Sequence, residues 1–221
     1  MDTQERIMRC QIEGSWTAKD MADSLLSMRD LYNIRLGLQI IYEDYRDIDE
    51  FLFELHHFKP FRRLQRKELA PFLYQFLFSG YFKPIDPDQL NRIANLVYPY
   101  EELKVRRIEY ASPGFKDLAG FGEIVGHLKD FILKLVEYHG DKRKRELNNE
   151  EQELKNQALR IENARKYVSL ARECGFEERE LRKLVILVDE KQEPLITLIG
   201  NGKIQSVKMM DDKNLNKEND L

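Results

Sequence analysis

The amino-acid sequence predicts a mixed α+β or α/β chain: a small N-terminal domain with a few short strands and several helices, then a long amphipathic, coiled-coil-like helical region. Three observations carry this. Short segments near the start alternate apolar and polar residues at every second position, the period of a half-buried strand. Elsewhere apolar residues recur every three or four positions, the period of a helix. The change to a sustained helical period falls at Ser112-Pro113-Gly114, a turn sequence.

In the first segment Met8, Cys10 and Ile12 face one way and Arg9 and Gln11 the other, so residues 7–12 predict a strand. Gly14-Ser15 breaks it. Thr17-Ala18-Lys19-Asp20 is a capping-box-like start, with Thr17 placed to accept a backbone N–H, and Met21, Leu25, Met28 and Tyr32 follow at helical spacing. Ile34, Leu36, Leu38 and Ile40 then alternate with Arg35, Gly37 and Gln39, which predicts a second strand. A short helix is expected over 47–58, with Ile48, Phe51, Leu52 and Leu55 on its apolar side, and two more over 64–78 and 87–97. Residues 103–110 alternate again and predict a third strand. It closes in a type II turn, since proline suits the second turn position and glycine the third. Residues 1–112 are thus expected to form the small α/β domain.

Beyond the turn, Leu118, Phe121, Val125, Leu128, Ile132 and Leu135 step by threes and fours, the pattern of an a/d seam. Leu147, Leu154, Ile161 and Val168 recur every seven residues, with Ala158, Ala164 and Ala171 between them. The phase slips near Asp141, beside Gly140, so residues 113–175 predict one bent helix or two helices. A continuous helix would be about 85–90 Å long, too long for a compact domain to bury. Gly175 is placed to end it. Residues 176–204 are expected to be helical on the spacing of Leu181, Leu184, Val188, Leu195 and Ile199. The run 184–188 is also β-prone, and Pro194 could open a second element. Residues 205–221, rich in Asp, Lys and Asn, predict a disordered tail.

Composition narrows the function classes. With 36 Lys and Arg against 39 Asp and Glu, the net charge of −3 gives no bulk attraction to nucleic acid or anionic lipid. Two isolated cysteines, Cys10 and Cys174, and no signal peptide predict a reduced, cytoplasmic protein. No apolar run reaches the roughly 20 residues of a spanning helix, so any membrane attachment is expected to be peripheral.

Several residue groups have the composition of a site. His56-His57 point about 100° apart on a helix and cannot easily share one metal. Glu123, His127 and Asp130 share a helix face and could ligate a metal if another helix supplied more, but the plainer expectation is a polar face that also carries Lys134. Gly120, Gly122 and Gly126 are spaced one residue wider than a dinucleotide fingerprint and are expected to allow close approach or an irregular helix entry. The basic cluster Lys59, Arg62, Arg63, Arg66 and Lys67 could meet phosphates, as could the run 142–145, yet Glu146, Glu150, Glu151 and Glu153 interrupt the latter. The aromatic cluster Phe72, Tyr74, Phe76, Phe78, Tyr81 and Phe82 is expected in the core. No catalytic, cofactor-binding or metal-binding residue follows from the sequence.

The stretch Ile108-Glu109-Tyr110-Ala111-Ser112-Pro113-Gly114-Phe115, with Leu118 and the glycines after it, resembles a group of uncharacterised bacterial proteins. In these a strand ending in Ser-Pro precedes an amphipathic helix and then a charged helix. The resemblance spans about residues 100–170. It implies an attachment or assembly role for the amphipathic segment, with no activity and no site residues. The leading expectation is a non-enzymatic interaction protein that forms a homo-oligomer or docks a helical partner through Leu118, Phe121, Val125, Leu128, Ile132 and Leu135. Second comes peripheral membrane attachment through residues 115–145, an amphipathic stretch followed by a basic run. Nucleic-acid binding is third and an enzyme last.

Overall fold

The computed structural model describes residues 5–57, 102–140 and 149–210. Its elements are β1 (Glu5–Ile12), α1 (Ala18–His57), β2 (Lys104–Glu109), β3 (Gly114–Phe121), α2 (Gly122–Gly140), α3 (Asn149–Glu173), α4 (Glu178–Gly200) and β4 (Ile204–Met210). The fold is mixed α+β, with one antiparallel sheet in the order β2-β3-β1-β4. Met8, Cys10 and Ile12 face the helices, opposite Leu118, Lys116 and Gly114. The other face carries Arg9 opposite Asp117 and Gln11 opposite Phe115. The helices α2, α3 and α4 all pack against α1.

The sheet crosses the domain boundary expected at residue 112, which falls in the β2–β3 connection. One hydrophobic cluster runs from Met8 through Leu36, Leu128 and Leu184 to Val207.

Helix α1 corrects the expected second strand, since residues 18–57 form one helix of 40 residues. Residues 31–34 and 36–41 are all buried, leaving only Arg35 between them partly exposed. A helix buried all round has no apolar stripe, so its short alternating run looks like a strand. Its start is as expected: the Thr17 hydroxyl accepts from the Asp20 backbone N–H at 3.1 Å, and Asp20 Oδ2 accepts from the Thr17 N–H at 2.8 Å. Lys203 Nζ adds a 2.6 Å bond to the same carboxylate, tying this cap to the turn before β4. The helix expected over 47–58 is the distal part of α1, while those over 64–78 and 87–97 lie outside the described residues.

Strand β3 is the second correction. Leu118 and Phe121 lie on a strand, and the helix begins only at Gly122. Strand alternation is hidden here because both faces mix types: Lys116, Leu118 and Gly120 on one, Phe115, Asp117 and Ala119 on the other. The expected type II turn is also replaced, since the Ser112–Pro113 peptide is cis. Gly114 is required there, because a side chain would collide with the backbone of Glu109 and Ala111.

Helix α2 is described to Gly140 and α3 from Asn149; the break expected near Gly140 falls against residues 141–148, which lie outside the described set. Gly175 closes α3 at φ +80°, with the Phe176 N–H donating to Ala171 O at 3.1 Å and the Gly175 N–H to Arg172 O at 3.0 Å, a Schellman-type end. Of the seven-residue stripe, Leu147 and the side chain of Leu154 lie outside the described set, and only Val168 of the rest packs on the core. Ile161 is exposed and Val168 half-buried, while Ala164, Tyr167, Leu170 and Ala171 are interior. Helix α4 is continuous through Pro194 and starts on a capping box between Glu177 and Glu180. The expected tail loses its first residues to β4, whose Ile204 and Val207 are buried against β1; a register shift at Gln11/Ile12 spoils the alternation.

Candidate functional site

The six residues expected at an intermolecular seam are interior to the chain. Leu118 and Phe121 on β3, with Val125, Leu128, Ile132 and Leu135 on α2, are each at most 6% exposed. Helix α2 lays them against β1, β3, β4, α1 and α4. Phe121, Phe131, Ile132 and Leu135, the side chains an interfacial helix would insert into lipid, are all buried. Among the described residues no helix is long and apolar enough to cross a membrane.

The polar face of α2 is where the spacing put it. Glu123 Oε1 lies 4.0 Å from His127 Nε2, and Lys134 pairs with Glu162 at 3.0 Å. Arg35 Nη2 of α1 lies 3.1 Å from His127 Nε2. A guanidinium only donates, so Nε2 must accept and the imidazole is neutral with its proton on Nδ1. Burial, then the cations Arg35 and Lys166, hold the His127 pKa below its ordinary value, against Glu123 and Asp130. Two cations beside the ring oppose a metal ion there. No group of three His, Cys, Asp or Glu side chains gathers for one among the described residues. His56-His57 end α1, and their side chains lie outside the described set, as do the basic clusters 59–67 and 142–145 and the aromatic cluster 72–82.

Two polar arrangements escaped sequence reasoning. Arg9 on β1 grips Asp117 on β3 through bonds of 2.8 and 2.9 Å, with its guanidinium 3.9 Å from the Phe115 ring centre. Lys116, the neighbour of Asp117 on the opposite sheet face, donates to the Ser24 hydroxyl and lies 5.0 Å from the Trp16 ring centre. Burial lowers the Lys116 pKa, and burial raises its cross-strand neighbour Cys10 to about 11. A serine hydroxyl on a desolvated lysine has the composition of a nucleophile and base. Yet Ser24, Lys116 and Cys10 are all fully buried, so no substrate reaches them. In the sequence Lys116-Asp117 looks like a solvated charge pair, and only the strand register sends one to each face.

The accessible candidate is the edge strand β2. Every residue of Lys104–Glu109 is exposed, and no described strand pairs with its outer side. Val105 is 49%, Ile108 41% and Tyr110 60% exposed. The charges between them are matched within the chain: Arg106 and Lys104 meet Glu5, and Arg107 meets Glu109 at 2.9 Å. Tyr110 is fixed by the Trp16 N–H, which donates to its hydroxyl at 2.8 Å. No protein-family model matches the chain, and neither does any curated protein or solved structure.

Proposed function

We propose that this chain is a non-enzymatic interaction protein that associates with copies of itself, and that its contact is the β2 edge rather than residues 118–135. One observation carries the proposal. Three of the six exposed large hydrophobics among the described residues, Val105, Ile108 and Tyr110, fall within six residues of chain on or just after β2, whose outer edge no described strand covers. Unpaired backbone donors and acceptors beside apolar side chains are the chemistry that recruits another strand. Residues 118–135 cannot supply the contact without opening the core, because their apolar side chains are already buried.

Size-exclusion chromatography with light scattering tests it. The expected result is a mass that rises toward twice the chain's 26.4 kDa as concentration climbs into the tens of micromolar. A monomer across that whole range overturns the proposal.

A further inference from the structure

We infer that the occupant of the β2 edge is β2 of a second copy, paired antiparallel about a two-fold axis between Arg106 and Arg107. This rests on the self-association proposed above and names its contact. The register shift between Val105 and Arg107 is what makes the strand self-matching. Lys104, Arg107 and Glu109 lie opposite Ala119, Asp117 and Phe115 on the outer face of the sheet, while Val105 and Ile108 lie opposite Leu118 and Lys116 on the helix-facing side. Arg106 joins the outer set through Glu5, whose own partner Phe121 lies on that face. The order of faces is therefore outer, inner, outer, outer, inner, outer. It reads the same from either end.

Antiparallel neighbours place directly opposite residues on the same face, so only a register that preserves this order is allowed. Centred between Arg106 and Arg107, Lys104 lies opposite Glu109 of the partner subunit and Val105 opposite Ile108 of the partner subunit. The symmetry repeats both pairs. The result is two apolar contacts on the inner face and two opposite-charge contacts on the outer. A slip of one residue, centred on Arg107, would set inner Ile108 against outer Arg106 of the partner subunit. At the centre Arg106 meets Arg107 of the partner subunit, a like-charge pair, but each guanidinium already holds a carboxylate of its own chain, Glu5 or Glu109. A six-residue edge is a small contact, of the transient class below about 1,200 Å². Weak, concentration-dependent association is therefore expected.

The test exchanges the end charges on the full chain. Lys104→Glu alone and Glu109→Lys alone each convert both outer pairs to like charges, and each should raise the dimer dissociation constant about tenfold. Mixed one to one, the two variants form a heterodimer in which both outer pairs are again opposite in sign, and its constant should return to within about threefold of the unaltered chain. Circular dichroism of each variant checks that the exposed substitutions leave the fold intact. A dimer whose constant neither single reversal moves overturns β2 pairing while self-association stands. Single reversals that weaken the dimer without recovery on mixing overturn this register. A monomer for the unaltered chain overturns both proposals together.

Discussion

At the scale of single residues, the half-buried His127 and the buried Lys116 set how stability responds to pH. His127 is neutral in the fold, held so by burial and by Arg35 and Lys166, against Glu123 and Asp130. Its folded pKa lies below the unfolded value of about 6.5. In the window between them the unfolded chain binds more protons, so this contribution is complete above about pH 6.5 and is lost as pH falls toward the folded pKa. Replacing His127 by Gln keeps an acceptor for Arg35 and removes the titration. Urea unfolding at pH 7.5 and 5 should then show a smaller loss of stability on acidification than in the unaltered chain. Lys116 obeys the same sign at higher pH: its pKa is lowered from 10.5, so stability rises with pH up to about that value. The combined variant Lys116→Met and Ser24→Ala removes a buried amine without leaving its hydroxyl partner unpaired. It should be more stable at pH 7 by on the order of 1 kcal/mol, with a flatter alkaline pH profile. A less stable double variant would mean that the Lys116–Ser24 bond contributes more than the burial of the amine costs.

At the scale of elements, two of the glycines singled out by spacing have opposite duties. A Cβ on Gly120 would come within 2.8–3.0 Å of the Tyr32 ring, whose hydroxyl accepts the Phe121 N–H at 2.9 Å. Here β3 and α1 touch through a glycine, so the expected close approach is between strand and helix. Gly126 sits inside α2 with nothing within 4 Å of a built Cβ. Gly120→Ala should therefore cost about 1–3 kcal/mol by overpacking. Gly126→Ala should add about 0.5–1 kcal/mol through helix propensity and a less flexible unfolded chain. Thermal or urea unfolding of the two variants reads both signs, and equal effects would contradict the placement of Gly120 against Tyr32. Elements with a clean period were legible at this scale: β1, α2, α4 and the Gly175 stop all follow their side-chain spacing. Those missed each lack a clean period, for different reasons. The middle of α1 is buried on every side, β3 mixes polar and apolar residues on both faces, and β4 is interrupted by a register shift.

At the scale of the whole molecule, a sheet that takes β1 from the chain's start and β4 from near its end should unfold as one unit. The single tryptophan, Trp16, precedes α1 and packs on the common core, far in sequence from α2. Leu128→Ala in α2 should lower stability by about 2–5 kcal/mol. The shift should be equal by Trp16 fluorescence and by far-ultraviolet circular dichroism, since both report one transition. A tryptophan transition that stays put while the helical signal moves would restore the division at residue 112. The sequence by itself determined the mixed class and the apolar face of α2, because these rest on local periodicity that survives whatever the neighbours are. What lies against that face was decided only by the tertiary structure. Periodicity states that a stripe must leave water and is silent on its partner, and here long-range pairing of β1 with β3 and β4 builds a sheet that takes the stripe within the chain. The same pairing leaves β2 at the edge of the described strands, with Val105, Ile108 and Tyr110 exposed while Leu118, Phe121, Val125, Leu128, Ile132 and Leu135 are interior.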